Sequence, residues 1–478
     1  MVRTETAKSS MVYRDQNQRL QPGGLGGKSR QRFIIEGLLL LVILVLGGWM
    51  RLTAIDETRV PRPLGPDAWQ YFNYAYNLLH HGTFSKDPSV RTGASPIPDA
   101  FRTPGYPLFL VPFLSQVTDP SWITRVEVVQ AWLGTVSLGL VFILARTFLP
   151  WVLAGVATLL SAITPHLITM NHYILSESLF AFLLLVTLTF MVLSATRWWG
   201  WLGVGMLLCA TGMVRPVAFY WLLPTALLLW FRRSLPGRKR ATLALIIGFF
   251  VVMIPWMVRN KITLGVWSDD TFVNQAIAFG IYPDFTYNQD PNTFAYPYRF
   301  DPRVEEIIAS RAAVMRELWD KLTHDTVRYL QWYFVSKPIW FWSWGIIQGQ
   351  GDAFIYQVTE SPYYDRPWFR GTHHFMLAIH GMMVVLAGLG SIMIWLPSRW
   401  RPDMDEHALF MARMLSLLLF FMTAAHMAVP PYPRYNIPLR PELYCMSLFF
   451  LWTFHRQTAR WLQPCHGVTI QIPPVRSD

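Results

Sequence analysis

Asp67, in Gly65-Pro66-Asp67-Ala68-Trp69-Gln70-Tyr71, stands just beyond the first strongly apolar run of the chain. A carboxylate there can serve as a general base that takes a proton from an attacking hydroxyl, with Tyr71 four residues on as a polar neighbour. Three arginines recur at the ends of later apolar runs: Arg215 in Arg215-Pro216, Arg259 in Pro255-Trp256-Met257-Val258-Arg259-Asn260, and Arg434, with Tyr435, in Pro433-Arg434-Tyr435-Asn436-Ile437-Pro438. Guanidinium groups offer the forked donors and fixed charge that an anionic headgroup requires. His172 and Glu177, in Met170-Asn171-His172-Tyr173-Ile174-Leu175-Ser176-Glu177-Ser178, add titratable groups at another such end. Glu177 is expected about one turn inside a span, where ionisable residues mark function.

Each of these residues also has a plainer role. Asp67 suits a helix N-cap, since Trp69, Phe72, Tyr76 and Leu79 share one helical face and Gly82 suits the far end. A single arginine at a span end can snorkel to the interface or form a structural ion pair. Three arginines beside proline kinks, predicted at one face of the membrane, read together as a headgroup site.

The elements that position them follow from run lengths. Of 478 residues, 53% are hydrophobic and 15% charged, and uncharged runs near twenty residues recur along the whole length, so the chain reads as an all-α, polytopic membrane protein. Spans are expected near 33–50, 122–145, 150–170, 173–195, 199–213, 217–231, 241–258, 374–396, 408–429 and 441–455. Residues 1–32 and 456–478 are then cytoplasmic tails, and 33–455 is the transmembrane domain. The net charge of +12 is concentrated where the positive-inside rule wants it, in the N-terminal tail and in Arg232–Arg240, which argues against a nucleic-acid partner. Arg215-Pro216 should divide 199–231 into a hairpin, because proline removes a backbone donor. Three cysteines, Cys209, Cys445 and Cys465, show neither disulfide nor zinc spacing.

Two segments on the non-cytoplasmic side are too long for turns. The first, 51–121, holds a helical stretch from Asp67 to His81 and the Pro-rich piece Thr103-Pro104-Gly105-Tyr106-Pro107-Leu108-Phe109-Leu110, expected to be interfacial or re-entrant and packed onto the bundle. The second, 259–373, carries an expected amphipathic helix from Pro302 to Leu322. Its aromatic stretch, 326–345, suits a membrane interface and leaves a further crossing open.

In this order the motifs resemble the polyprenyl-phosphate-dependent glycosyltransferases of the C-type fold, which include protein O-mannosyltransferases and the lipid A aminoarabinose transferase. The resemblance rests on the Asp67 motif, Arg102-Thr103-Pro104-Gly105-Tyr106-Pro107, Leu175-Ser176-Glu177-Ser178-Leu179, Arg215-Pro216, Pro255–Asn260 and Arg434–Pro438, and covers roughly 33–455. It implies that Asp67 is catalytic in segment 51–121, that Arg102 and Tyr106 help form a donor cavity, and that Glu177, Arg215, Arg259 and Arg434 line it or bind phosphate, with 259–373 binding substrate. It also implies an inverting displacement in which a sugar passes from a polyprenyl phosphate to a hydroxyl of a glycan, glycolipid or protein. The Asp67 motif has one acidic residue where eukaryotic protein mannosyltransferases carry an adjacent pair.

Other classes share some of these features. A flippase would need ionisable residues near mid-membrane, and a lipid-linked glycan polymerase or ligase would share the arginines without needing Asp67. His172 and Glu177, with His166 nearby, are compatible with a loose divalent-metal site but fall short of a closed ligand set, so a divalent metal stays open while no metal ligand or other cofactor is assigned. The absence of any Asn-x-Ser/Thr sequon fits a bacterial inner-membrane protein with its site facing the periplasm.

Overall fold

The structure is a computed structural model that describes residues 25–114, 119–194, 197–347 and 352–462. Among the described residues there is no β-strand, only isolated bridges at Arg59–Glu360 and Tyr287–Asp290. The contact pattern divides the chain inside its first helix, into Met1–Val42 and Ile43–Asp478. The described part of the first unit, 25–42, is the leading half of that helix, with Arg32 paired to Glu36 one turn on.

The helices that matter here are α1 (Leu25–Glu57), α2 (Pro66–His81), α3 (Gly105–Leu110), α4 (Ser121–Arg146), α5 (Trp151–Ile163), α6 (Glu177–Leu193), α7 (Gly200–Val214), α8 (Leu222–Phe231), α9 (Arg238–Leu264), α10 (Thr271–Phe279), α11 (Arg311–His324), α12 (Pro367–Met393), α13 (Glu406–Ala428) and α14 (Arg440–Leu462). Among the described residues five helices meet the length and apolarity of a crossing, or six if one bent pair is counted as one.

Two expected spans are corrected. The stretch 150–170 is broken: α5 ends at Ile163 and a second piece, Pro165–His172, leaves at 59°. Proline disfavours α geometry in the residue before it, and Thr164 accordingly takes φ −65°, ψ 118°. The stretch 173–195 begins its helix only at Glu177, so Glu177 lies in the first turn of α6 rather than one turn inside a span.

α7 and α9 run side by side in the same direction. Glycine permits the approach: a Cβ on Gly205 would lie 2.0 Å from the Leu245 carbonyl oxygen, and one on Gly248 would lie 2.0 Å from that of Leu202. Further along, Met213 and Val214 share a groove wall with Pro255 and Trp256. Two parallel neighbours require a return between them, so the break at Arg215 (φ −139°, ψ 113°) and the 3-10 turn Pro216–Trp221 lead into an α8 that runs back.

In the 51–121 segment, α2 starts from Gly65 with Pro66 at its first position and stops at Gly82 with φ 64°, the left-handed conformation that glycine takes without steric cost. Its buried side is not the expected face. Ala68, Tyr71, Phe72, Asn73, Tyr74, Ala75 and Asn77 are buried while Leu79 is exposed, because the helix is enclosed on nearly every side. Its asparagines serve the following loop: Asn73 donates to the Lys86 carbonyl (3.0 Å) and Asn77 to those of Ser85 and Asp87 (both 2.9 Å). In the Pro-rich piece Tyr106 and Leu110 are fully buried, and a Cβ on Gly105 would meet the α7 backbone at Met213 2.6 Å away.

In the 259–373 segment, the single helix expected over Pro302–Leu322 is two. Val304–Ile308 and α11 are separated at Ser310, whose extended backbone (φ −155°) and hydroxyl accepting from Ala313 N make it an N-cap. A continuous helical run, Thr326–Phe341 with a π-turn at Trp332–Ser336, carries the aromatic stretch. Buried Lys337 fixes this run to the end of α13 by donating to the Met427 (2.7 Å) and Val429 (3.3 Å) carbonyls, a favourable place for a cation.

Candidate active site

Five charged side chains from five separate places in the sequence meet in one connected array. Asp67 leaves the first turn of α2, Arg102 the turn before α3, Glu177 the first turn of α6, Arg215 the break after α7, and Arg434 the 3-10 turn Pro433–Leu439 before α14. Arg102 donates to Asp67 Oδ1 (2.8 Å) and Arg434 to Asp67 Oδ2 (2.6 Å). Arg434 Nε also lies 3.7 Å from Glu177 Oε1, to which Arg215 donates at 3.1 Å. Two carboxylates thus face three guanidiniums, leaving one positive charge in excess.

Asp67 is not the helix cap its position suggested. The N-cap is Gly65, no side chain caps the helix, and the carboxylate is turned toward the two arginines. Both carboxylates sit in first turns of helices, where the unpaired N–H groups favour negative charge. Burial alone would raise the Asp67 carboxyl; the charges and hydrogen bonds of Arg434 and Arg102 outweigh it and hold the group well below the usual carboxylate range. Its side chain keeps 29% of its surface accessible, so a ligand can reach it, whereas Glu177 at 2% serves from inside.

The other expected residues divide into those the fold brings here and those it does not. Tyr435 lies beneath both Arg215 (4.9 Å to the ring centroid) and Arg434 (5.3 Å), and Tyr71 stands 5.2 Å from Arg102. Tyr71 also donates to Ser176 (3.4 Å) and meets the Tyr106 ring edge-on at 4.9 Å. Tyr106 is one layer back, fully buried, with its hydroxyl on Gln130 (3.0 Å). His172 is buried, its Nε2 has no hydrogen-bond partner, and nothing ties it to Asp67. Arg259 lies apart from the array, donating to the Asp99 (2.9 Å) and Phe84 (3.1 Å) carbonyls.

Arg102 is held by residues that sequence reasoning passed over. Gln70, three residues after Asp67 on α2, accepts from Arg102 Nε (2.9 Å). One turn further, the Tyr74 hydroxyl donates to Asp99 and accepts the Arg102 backbone N–H (3.3 Å). Position i+3 and i+7 from Asp67 was the available sign for Gln70 and Tyr74; Asp99 had none.

An apolar groove of about 720 Å³ adjoins this end of the helices. Leu78, Leu108, Leu179, Leu183, Val252 and Trp256 line it with Arg259, and Gly105, Met213 and Val214 bring its wall to the residue before Arg215. No group of three or more His, Cys, Asp or Glu among the described residues is placed to hold a metal ion. His166 has both ring nitrogens engaged, one with the Asp352 carbonyl (2.6 Å) and one with Arg440 (2.7 Å), and Glu177 is committed to arginine.

No protein-family model and no curated protein sequence matches the chain. Among solved structures it is similar to the archaeal oligosaccharyltransferase AglB from Archaeoglobus fulgidus in complex with an inhibitory peptide and a dolichol-phosphate, at 13% identity and TM-score 0.49, over 90% of this chain and 52% of that one. The apo form of the A. fulgidus oligosaccharyltransferase gives 12% identity and TM-score 0.49, over 89% and 51%. ArnT from Cupriavidus metallidurans bound to undecaprenyl phosphate gives 14% identity and TM-score 0.40, over 87% and 77%. The chain spans about half the length of the oligosaccharyltransferase chains. At these values the similarity transfers no residue role; the site stands on its own geometry.

Proposed function

We propose that this protein is an inverting glycosyltransferase of the membrane, moving a sugar from a polyprenyl-phosphate-linked donor to a hydroxyl of an envelope glycan, glycolipid or protein on the non-cytoplasmic face. The observation that carries the reading is an accessible carboxylate clamped between two arginines of an array with surplus positive charge, beside an apolar groove.

The free array is not yet a base. A carboxylate with each oxygen on a guanidinium binds protons weakly, and a donor phosphate changes that by competing for the same forks. As Arg102, Arg215 and Arg434 turn to the phosphate, Asp67 is released at the spot where the phosphate-linked anomeric carbon must lie. The acceptor hydroxyl then gives its proton to Asp67 while its oxygen bonds to the anomeric carbon. The bond from that carbon to the phosphate oxygen breaks, and its electron pair leaves on the polyprenyl phosphate, stabilised by the guanidiniums. The groove wall toward Arg215 suits the first isoprene units, with Arg259 on the same wall.

Purified wild-type and Asp67→Asn protein, given polyprenyl-phosphate donors and envelope extract, test the reading. General-base assistance is worth about 10²–10⁴-fold, so Asn should cut transfer at least that far while donor binding persists. Transfer retained by Asn removes the base assignment, and donor binding without transfer in either protein points to a flippase.

A further inference from the structure

A second polar cavity, about 220 Å³, lies within the 259–373 segment, lined by α10, α11, the turns between them and the start of the Thr326–Phe341 run. Its wall carries Tyr282, Tyr287 and Tyr329 together with Asp301, Glu317 and Lys321. The Tyr282 hydroxyl donates to Asp301 Oδ2 (2.8 Å). Glu317, almost wholly buried, is paired with Arg303 (2.7 Å) and Lys321 (3.7 Å). Asp325 and Arg328 add one charge of each sign to the lining. Asp301, Glu317 and Asp325 against Lys321 and Arg328 leave one negative charge on the wall, which Arg303, the ion-pair partner of Glu317, offsets from outside the lining, so the cavity has little to attract a bare ion. What it presents is carboxylate acceptors, a lysine donor and tyrosine side chains, in a volume suited to a ligand smaller than drug size. That combination fits a sugar ring, whose hydroxyls need such partners and whose C–H face packs on tyrosine.

The backbone of this wall is built rather than loose. Between Asp284 and Ala295 five non-glycine residues have positive φ: Asp284 (53°), Phe285 (57°), Asn288 (47°), Gln289 (61°) and Ala295 (73°). Such conformations persist only where packing enforces them. Phe285 is buried against Trp332 and Trp340, and it stacks on Tyr432 with centroids 5.2 Å apart. Tyr432 lies two residues before Arg434, so one aromatic contact joins the cavity's framework to the turn that holds Asp67. Phe272 of α10 extends the same cover to Arg102, whose guanidinium is 5.1 Å from its ring.

We propose that this cavity is a subsite for a neutral glycan acceptor, seating one sugar ring against Tyr282 and Tyr287 while the rest of the glycan runs toward Asp67. The word acceptor rests on the transfer reading above; glycan binding does not.

The test uses full-length protein in lipid nanodiscs and neutral oligosaccharides of increasing length. Binding is read by saturation-transfer NMR, and transfer and donor hydrolysis are read separately. Tyr287→Ala and Tyr282→Phe should each weaken oligosaccharide binding and raise acceptor KM by about tenfold, the scale of one or two lost contacts, while donor hydrolysis stays at the wild-type rate. Equal binding by wild type and both variants overturns the proposal. So does preferential binding of a basic peptide, or a parallel loss of donor hydrolysis, which would mean that the cavity acts only through the fold. If wild type transfers from no donor yet binds glycan in a Tyr287-dependent way, the cavity stands and the reaction assignment falls.

Discussion

Asp67 is bound in the free protein by the groups it must lose in order to work, and that has consequences for pH. Its folded-state pKa is depressed by Arg434 and Arg102 against the opposing effect of burial, so the clamp's stabilisation is fully present above the ordinary carboxylate range near pH ~4 and is lost only as pH falls through the depressed value. The acid limb of kcat/KM, which reports the free enzyme, should therefore not belong to Asp67. The limb of kcat should, and it should vanish in Asp67→Asn only because the activity does. A kcat/KM limb that moves when Arg102 is replaced by Lys would show the clamp already open in the free protein. Arg434 touches both carboxylates, and Lys cannot reproduce a forked geometry, so Arg434→Lys should raise donor KM by about tenfold or more with expression unchanged. Asp67, Glu177, Arg215 and Arg434 stood out in the sequence as charge at the ends of apolar runs, a sign that also picked out Arg259, which lies apart; Arg102 came only with the family resemblance. Gln70, Tyr74 and Asp99 were not legible, since a neutral or loop residue that holds another side chain carries no sign of it until the backbone is folded.

At the scale of elements, the array depends on helix ends being stopped at the right residue. Pro165 bends the chain after α5, the extended backbone at Tyr173 (φ −113°, ψ 141°) keeps α6 from starting before Glu177, and Arg215 escapes helical geometry because Pro216 follows. The Arg215-Pro216 break was readable from the proline and the end of α2 from Gly82, whereas the cap of α2 was expected at Asp67 and is Gly65. The late start of α6 was not readable, because Tyr173-Ile174-Leu175 is apolar enough to pass for helix, and neither was the Ser310 break inside an apparently continuous amphipathic pattern. The close pairing of α7 and α9 makes the sharpest prediction here. A methyl at Gly205 would sit 2.0 Å from a backbone oxygen that cannot rotate away, so Gly205→Ala should destabilise the protein by about 1–3 kcal/mol and lower its melting temperature in detergent. Gly139, with open space around it, is the matched control and should tolerate Ala without a shift.

For the whole molecule, the array is a constraint on topology that hydropathy does not contain. Asp67, Arg102, Glu177, Arg215 and Arg434 are joined by ion pairs, so the chain must return to the same end of the bundle each time it reaches one of them. Between Arg102 and Glu177 lie α4 and the bent α5 unit; between Glu177 and Arg215, α6 and α7; between Arg215 and Arg434, first α8 and α9, then α12 and α13. Counted with the run Thr326–Phe341 as non-crossing, each interval holds paired helices, which is the parity that a return requires. By the same parity Arg146, Arg197, Arg232–Arg240, Arg399 and Arg401 are expected at the opposite turns, which the positive-inside rule predicts to be cytoplasmic. Single cysteines introduced into a background lacking the native ones can check this. Cysteine at Arg62 or Asn288 should react with a membrane-impermeant maleimide in intact cells, while cysteine at Arg233 or Arg399 should react only after lysis. Labelling of Asn288→Cys from the side opposite Arg62→Cys would place an odd number of crossings between α2 and the second cavity, a result that the contact of Phe285 with Tyr432 and the pairing of Arg434 with Asp67 together forbid.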